Sequence, residues 1–358
     1  MRFLFFPSDF PPLEAGLLDK RPLSGGPTSL IRLAEALHSL GHEVLVLTES
    51  EHPQASQGPA YISLQEYENI GPVDVLIAVR GWMAVFLPIQ YKKCFFWTGD
   101  SMENAKTFGI GDGRFALTID ALFAKSKWHA KTLSETSGFP LDKTWVLYNA
   151  VYTPYFEKKI LRKKKRLIYS STPQRGLQFL IPIFKEIKNL HPDAELYIYS
   201  SFDRNARKWP PLQYDLDEPY QSILDEAAEI PGCYVHSSIK QEALAEEFLK
   251  SALLVYPTNF LETCCNFVLE AQAAGCPVVT TDSASMRETV GDGGILIEGD
   301  ASMSDYQRKF IEIVDKFFKD PAYYAQVSQN ALRRSTYFGW KFRAKELVEY
   351  LKTSHGLK

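Results

Sequence analysis

Two carboxylates, Glu262 and Glu270, frame the stretch of this chain best suited to chemistry. Glu262 falls in a loop. Glu270 falls inside the helix that follows, about one to two turns in. Between them, the backbone amides of Cys264, Cys265, Asn266 and Phe267 stand where a helix N-terminus leaves N–H groups unpaired. Such an end binds anions, phosphate above all. A carboxylate on either side repels phosphate but accepts hydrogen bonds from hydroxyls. A ligand with sugar, diphosphate and ribose in a row, a nucleotide sugar, suits that combination. The plainer alternative is a buried helix with an acidic start, which the helix dipole favours anyway.

The elements that must position these groups are legible around them. Residues 252–257, Ala-Leu-Leu-Val-Tyr-Pro, form an apolar run short enough for a buried strand. Gly275 sits where a helix C-terminus wants positive φ, and Pro277 follows the stop. Residues 276–281 then read as the next buried strand. Strand, loop, helix and strand make a βαβ unit, in which ligands meet the loop at the strand's C-terminal end. The first third repeats the pattern. A strand over 2–6 precedes a long loop ending in Ser24, Gly25, Gly26 and Pro27; a helix is expected over 28–40 and a strand over 43–48. Gly25 and Gly26 allow a ligand close to the backbone.

Length and composition set bounds. A chain of 358 residues suggests two domains. With 45% hydrophobic residues, a large core is available and disorder is not expected. A net charge of −3 gives no basic excess for nucleic acid. Five cysteines without framework spacing fit a reducing compartment, and no zinc spacing is present. Residues 2–6 are too short for a signal-peptide core, and no run approaches a membrane span. A cytoplasmic location is therefore expected.

The spacing Glu262-x7-Glu270, followed by Glu-Ala-x-Ala-x-Gly-x-Pro-Val-Val, resembles the signature of the retaining glycosyltransferases of family 4, the glycosyl transferases group 1. The resemblance implies the GT-B fold: α/β, two Rossmann-like domains with parallel sheets facing across a cleft, and a last helix crossing back to the first domain. It implies that Glu262 faces the donor sugar, Glu270 binds the ribose, and the amides of residues 264–267 hold the diphosphate. It also implies that Gly25 and Gly26 reach the donor phosphate and sugar. Many relatives carry Trp-x-His-Asp at the reacting centre. Here the run is Trp97-Thr98-Gly99-Asp100, so Gly99 replaces the histidine. Asp100 is left to orient or deprotonate the acceptor, or to cap a helix. His129, Trp128 and His42 are expected to be packing, surface or strand-edge residues.

In the second half, Ser171-Thr172-Pro173-Gln174-Arg175-Gly176 resembles the family's diphosphate loop. Arg175 stands for its lysine, and Ser171 and Thr172 stand near a missing arginine. Ser238 and Ile239 fall in the turn whose backbone cradles the nucleobase in relatives. The expected domains are 1–155, on the acceptor side, 165–335, binding the nucleotide sugar, and 336–358, the returning helix. The basic run over 158–166 reads as a solvated linker, with peripheral contact to an anionic membrane or a nucleotide as the alternative. Residues 203–218 read as an exposed excursion.

The expected function is retaining transfer of a sugar from a UDP-, GDP- or ADP-sugar to a hydroxyl acceptor: a glycan, a lipid-linked sugar or a small molecule. Catalytic roles fall to Glu262, Asp100 and Arg175. No metal site or cofactor is indicated, and oligomeric state is left open. The alternatives are a non-catalytic nucleotide-sugar-binding protein of the same fold, or another GT-B enzyme such as an epimerase or phosphorylase.

Overall fold

The computed structural model describes residues 1–8, 10–49, 57–100, 109–200 and 218–358. The excursion expected over 203–218 lies outside them except for its last residue. The chain divides into two compact units. The first comprises Met1–Tyr152, Glu262–Cys264 and Phe338–Lys358, and the second Thr153–Leu261 and Cys265–Tyr337.

The first unit is built on a seven-stranded sheet: β1 (Arg2–Pro7), β2 (Glu43–Thr48), β3 (Ala60–Ser63), β4 (Val73–Val79), β5 (Tyr91–Trp97), β6 (Ala121–Ala124) and β7 (Thr144–Val146). Their order is β3-β2-β1-β4-β5-β6-β7, all parallel. A parallel sheet is covered on both faces, so its strands are apolar at nearly every position. Phe3, Phe5, Val44, Val46, Val75, Ile77, Phe95 and Trp97 enter one core. Their neighbours Leu4, Phe6, Leu45, Leu47, Leu76, Ala78, Cys94 and Phe96 enter the core on the other face. This is the two-residue alternation of a strand.

Helix α1 (Gly25–Ser39) covers the first of those faces through Leu30, Leu33, Ala34 and Leu37. Gly25 and Gly26 were expected in a loop, but they form the first turn of this helix. A first turn has no intrahelical acceptors for its N–H groups, so Gly and Pro cost little there. The Phe10 ring packs so closely that a Cβ on Gly26 would lie 2.8 Å from its Cζ. Helix α2 (Lys127–Ser137) follows β6. The last strand of the sheet, β7, is short and ends at Val146.

The second unit carries a six-stranded sheet of β8 (Arg166–Tyr169), β9 (Glu195–Tyr199), β10 (Cys233–His236), β11 (Leu253–Tyr256), β12 (Val278–Thr281) and β13 (Gly294–Ile297). The order is β10-β9-β8-β11-β12-β13, again all parallel. Its helices include α3 (Leu177–Leu190), α4 (Glu218–Ala228), α5 (Gln241–Lys250), α6 (Asn266–Ala273), α7 (Ser304–Lys319) and α8 (Pro321–Ser335). The last helix, α9 (Trp340–His355), belongs to the first unit and packs against α1, burying Trp340, Ala344, Leu347 and Leu351. A bridge between Val151 and Gly339 fixes the approach to α9, and Val151 N–H donates to the Phe338 carbonyl at 2.6 Å.

Both sheets reverse their order beside the unit's first strand, at β1/β4 and at β8/β11. Chain leaving the C-terminal ends there diverges and opens a crevice, the usual ligand site of such sheets. Gly176, in the turn after β8, sits across the second switch point. Its φ is +130°, and a Cβ there would lie 1.9 Å from the Pro257 carbonyl oxygen after β11. Both the dihedral and the contact exclude a side chain. Gly176→Ala should therefore cost about 2 kcal/mol or more in urea unfolding, against about 0.5–1 kcal/mol gained where Ala fits. A loss too small to measure would show that the turn is not held against β11.

Candidate functional site

Helix α6 follows β11 at the switch point of the second sheet. Residues Val268 to Ala273 are all buried, so the helix is enclosed rather than amphipathic. Its C-terminus is fully provided for. Gly275 adopts φ +64°, its N–H donates to the Gln272 carbonyl at 2.9 Å, and the Cys276 N–H donates to the Ala271 carbonyl at 2.8 Å. That is a Schellman motif, as the glycine and proline after the helix suggested. The Arg162 guanidinium adds bonds to the carbonyls of Ala274 and Gly275, and Ser328 Oγ donates to Gly275 at 2.6 Å.

The N-terminus is treated differently. Cys265 is the N-cap and its side chain makes no capping bond. Asn266, Phe267 and Val268 supply the first-turn amides, which have no intrahelical acceptor. Cys264, expected among them, lies one residue before the N-cap; Val268 takes its place. Glu270 is 7% exposed, and Gln241 Nε2, at the start of α5, donates to its Oε1 at 2.9 Å. Gln241 carried no signal in the sequence. It follows the turn that holds Ser238 and Ile239, after β10. Ser171, Thr172 and Arg175 lie in the turn after β8, where the Arg175 guanidinium sits 4.1 Å from the centroid of the Phe260 ring. Phe260 belongs to the loop leading to α6, so the β8 turn and that loop come together. Thr172 Oγ1 and Gln174 Oε1 are buried in this turn without a hydrogen-bond partner.

In the first unit the groups gather at the C-terminal ends of β4, β5 and β6. The helix-cap role open to Asp100 falls on residues 101–108, outside the described residues. Arg80 Nε reaches both its carboxylate oxygens, at 3.0 and 2.9 Å, and Thr98 Oγ1 donates to it at 3.2 Å. Arg80 holds φ +68°, a costly conformation for a side-chain-bearing residue, which its ion pair helps maintain. His129, expected to be packing or surface, is completely buried and carries two bonds. Its Nδ1 accepts from the Lys125 N–H at 3.1 Å, so the ring proton is on Nε2, which donates to the Asp100 carbonyl at 2.8 Å. The ring thus ties the end of β5 to the end of β6. Lys125 is 6% exposed; its Nζ donates to Asn149 Oδ1 at 2.6 Å and lies 3.9 Å from the Trp97 ring centroid. Asn149 also accepts from Ser29 Oγ at 3.1 Å and donates to the Cys264 carbonyl at 2.8 Å. Thr263 Oγ1 donates to the Gly99 carbonyl at 2.9 Å, and Glu262 beside it is 5% exposed.

Burial moves two of these groups. It lowers the Lys125 ammonium from 10.5 to about 7, although the charges of Cys264 and Asp100 pull it back up. Burial lowers His129 from 6.5 to about 4, and the hydrogen bond to the Asp100 carbonyl only partly opposes it. His129 is therefore neutral at pH 7.

The basic run before β8 is largely committed within its own unit. Lys158 pairs with Glu242 and Glu246, Lys163 with Glu195 and Lys165 with Asp193, while Arg166 reaches Glu247. No helix among the described residues is long and apolar enough to cross a membrane.

Residues 164–316 match the family described as Glycosyl transferases group 1. The match covers less than half of the chain. A D-inositol 3-phosphate glycosyltransferase from Streptomyces avermitilis is 32% identical over 113 residues, which are 31% of this chain and 23% of that protein. The chain thus spans less than a quarter of that relative in the match. Sucrose-phosphate synthase from Thermosynechococcus elongatus superposes with a TM-score of 0.72 at 13% identity, covering 99% of this chain and 100% of that one. Anabaena HepE, solved with UDP and glucose, gives 0.72 at 14% identity over 99% and 100% of the chains. Likeness at this identity establishes the fold, GT-B. The group 1 match spans the β8 turn, the β10 turn and α6, and leaves out the described groups of the first unit, Arg80, Lys125, His129 and Asn149. Those residues are far apart in sequence and fit no local pattern.

His129 gives a pH test. Between pH 6.5 and about 4 the unfolded chain holds a proton that the buried ring refuses. Stability should therefore fall as pH drops through that window and be independent of His129 above it. His129→Gln, which can keep both bonds, should lose this dependence. His129→Leu should cost about 2–4 kcal/mol, because it strands a buried N–H and a buried carbonyl. Urea melts with equal slopes in wild type and His129→Gln would contradict the assignment.

Proposed function

We propose that the chain is a retaining glycosyltransferase that takes a sugar from a nucleoside-diphosphate sugar and passes it to a hydroxyl acceptor. The observation that carries this is the N-terminus of α6. It is the positive end of a buried helix, with no side-chain cap, beside a guanidinium and a buried carboxylate at one switch point. A diphosphate docks on the amides of Asn266, Phe267 and Val268, and a ribose hydroxyl pair docks on Glu270, which Gln241 holds in place. Arg175 faces the leaving group. Ser171, with the unpartnered Thr172 Oγ1, supplies hydroxyls to the same phosphates, and the backbone at Ser238 and Ile239 lines the nucleobase.

The chemistry follows from charge. As the glycosidic bond breaks, the sugar becomes cationic and the diphosphate gains negative charge. Fixed amides and a permanently charged guanidinium stabilise that departing charge without reorganising. Glu262 orients the sugar hydroxyls. Gly25 and Gly26 at the start of α1 bring backbone to the donor. Asp100 serves by orienting the acceptor rather than by taking its proton, because both its oxygens are committed to Arg80. Retention is what the family resemblance implies. HepE was solved with UDP, which makes UDP-sugars the first donors to try.

Thermal shift against UDP-, GDP- and ADP-sugars tests the donor site. One class should raise the melting temperature, and Glu270→Ala should abolish the rise. Arg175→Ala should lower turnover by about 10²–10³, the range for one lost oxyanion donor. A chain that no nucleotide sugar stabilises would defeat the proposal. A chain that binds donor yet forms no free nucleoside diphosphate with any acceptor would favour a binding protein instead.

A further inference from the structure

Lys125 is out of place for a structural lysine. Lysine is almost never fully buried unless paired. Its ammonium donates to a neutral amide oxygen, Asn149 Oδ1, and its other close neighbour is the face of Trp97. No carboxylate among the described residues lies within ion-pair distance of it. Asp100, the acid whose charge it feels, already has both oxygens on Arg80. His129, the other titratable group packed here, is neutral and has both ring nitrogens in use. The Cys264 sulfur also faces the ammonium and, with Asp100, raises it against the larger effect of burial. The same spot holds a second unanswered donor: Trp97 is 2% exposed, and its Nε1–H is buried with no partner. Two buried donors, one of them cationic, share a ring and lack an anion.

Gly99 explains how one would reach them. It is exposed, and a Cβ built on it would lie 3.2 Å from Lys125 Cε and 3.5 Å from Cγ. The lysine stem thus occupies the room that a side chain at position 99 would need. Glycine there and lysine at 125 are a matched pair, and the missing side chain brings the surface down to the stem.

We propose that Lys125 and the Trp97 indole N–H together hold a substrate oxyanion at the C-terminal edge of the first sheet, beside Gly99. The site rests on the transferase reading for the identity of its substrate, whose oxyanion is a phosphate of the donor or an anionic group on the acceptor. Binding the anion restores the ammonium's proton, so occupancy strengthens the very charge that burial suppresses.

Calorimetric titration of the full chain with UDP, and separately with glucose 6-phosphate, tests this at about pH 6.5 and about pH 8.5, either side of the lysine's titration. Lys125→Met keeps the stem and removes the charge, and should weaken one probe about tenfold or more at the lower pH. Wild-type affinity for that probe should fall towards the higher pH, and the variant's should not; a merely structural lysine would not produce that difference. Trp97→Phe keeps the ring and removes the N–H, and should weaken the same probe about threefold to tenfold. It also serves if Lys125→Met does not fold. Loss of UDP binding identifies the donor phosphate, and loss of glucose 6-phosphate binding identifies an anionic acceptor. UDP binding unchanged in both variants, with glucose 6-phosphate unchanged or bound by none of the proteins, overturns the oxyanion site and leaves the transferase reading intact. A wild type that binds glucose 6-phosphate through Lys125 but no nucleotide keeps the site and removes the transferase reading. A wild type that binds neither probe overturns the oxyanion site, and the thermal-shift screen against UDP-, GDP- and ADP-sugars decides the transferase reading separately.

Discussion

The electrostatic asymmetry of helix α6 is the constraint on which the rest depends. Every helix leaves amides at one end and carbonyls at the other. Here the carbonyl end receives a glycine in the left-handed region, a Schellman pair, an arginine and a serine. The amide end receives a cysteine that does not cap. Omitting a Ser, Thr, Asp or Asn cap costs about 1 kcal/mol in an ordinary helix. In a helix buried on all sides, an N-terminus without a side-chain cap is the end that a bound anion favours. The surroundings follow from this. Gly176 must be glycine so that the β8 turn can press on Pro257, and Gln241 must reach Glu270 so that the acid keeps one orientation.

Much of this arrangement is local in sequence and was legible there. Gly275 and Pro277 mark the end of α6 because positive φ and a missing N–H are properties of single residues. The parallel strands show as apolar runs because both their faces are covered. The start of α1 was misplaced because Gly and Pro signal a loop and a helix's first turn equally well. The structure decides for the helix, with the Phe10 ring packed on Gly26.

What the sequence did not disclose is what strand order creates. Arg80, Gly99, Lys125 and Asn149 come after four different strands. They meet only because β4, β5, β6 and β7 lie side by side in parallel, each ending at the same edge. No periodicity links them. His129 illustrates the point: as a sequence feature it is one histidine in a helix, and only the pairing of β5 with β6 turns it into the tie between Lys125 and Asp100. Gln241 is the counterpart in the second unit.

The two units share a topology yet place different kinds of charge at its open edge. In the second, the charge that meets an anion is held in backbone amides and in a guanidinium, neither of which titrates near neutrality. In the first, Lys125 does, at about pH 7, and a second buried group, His129, is held down to about pH 4. Burial lowers both, so both resist carrying charge, but to different ends. The histidine must stay neutral to keep its two bonds, and falling pH works against it. The lysine must be charged to attract an anion, and rising pH works against it. The first unit is thus confined to a window bounded below by the ring and above by the ammonium, while the helix end and the guanidinium of the second are indifferent across it. Of the charged groups named at the two edges, Lys125 is the one whose charge changes in the neutral range, because β6 carries it deep beneath Gly99.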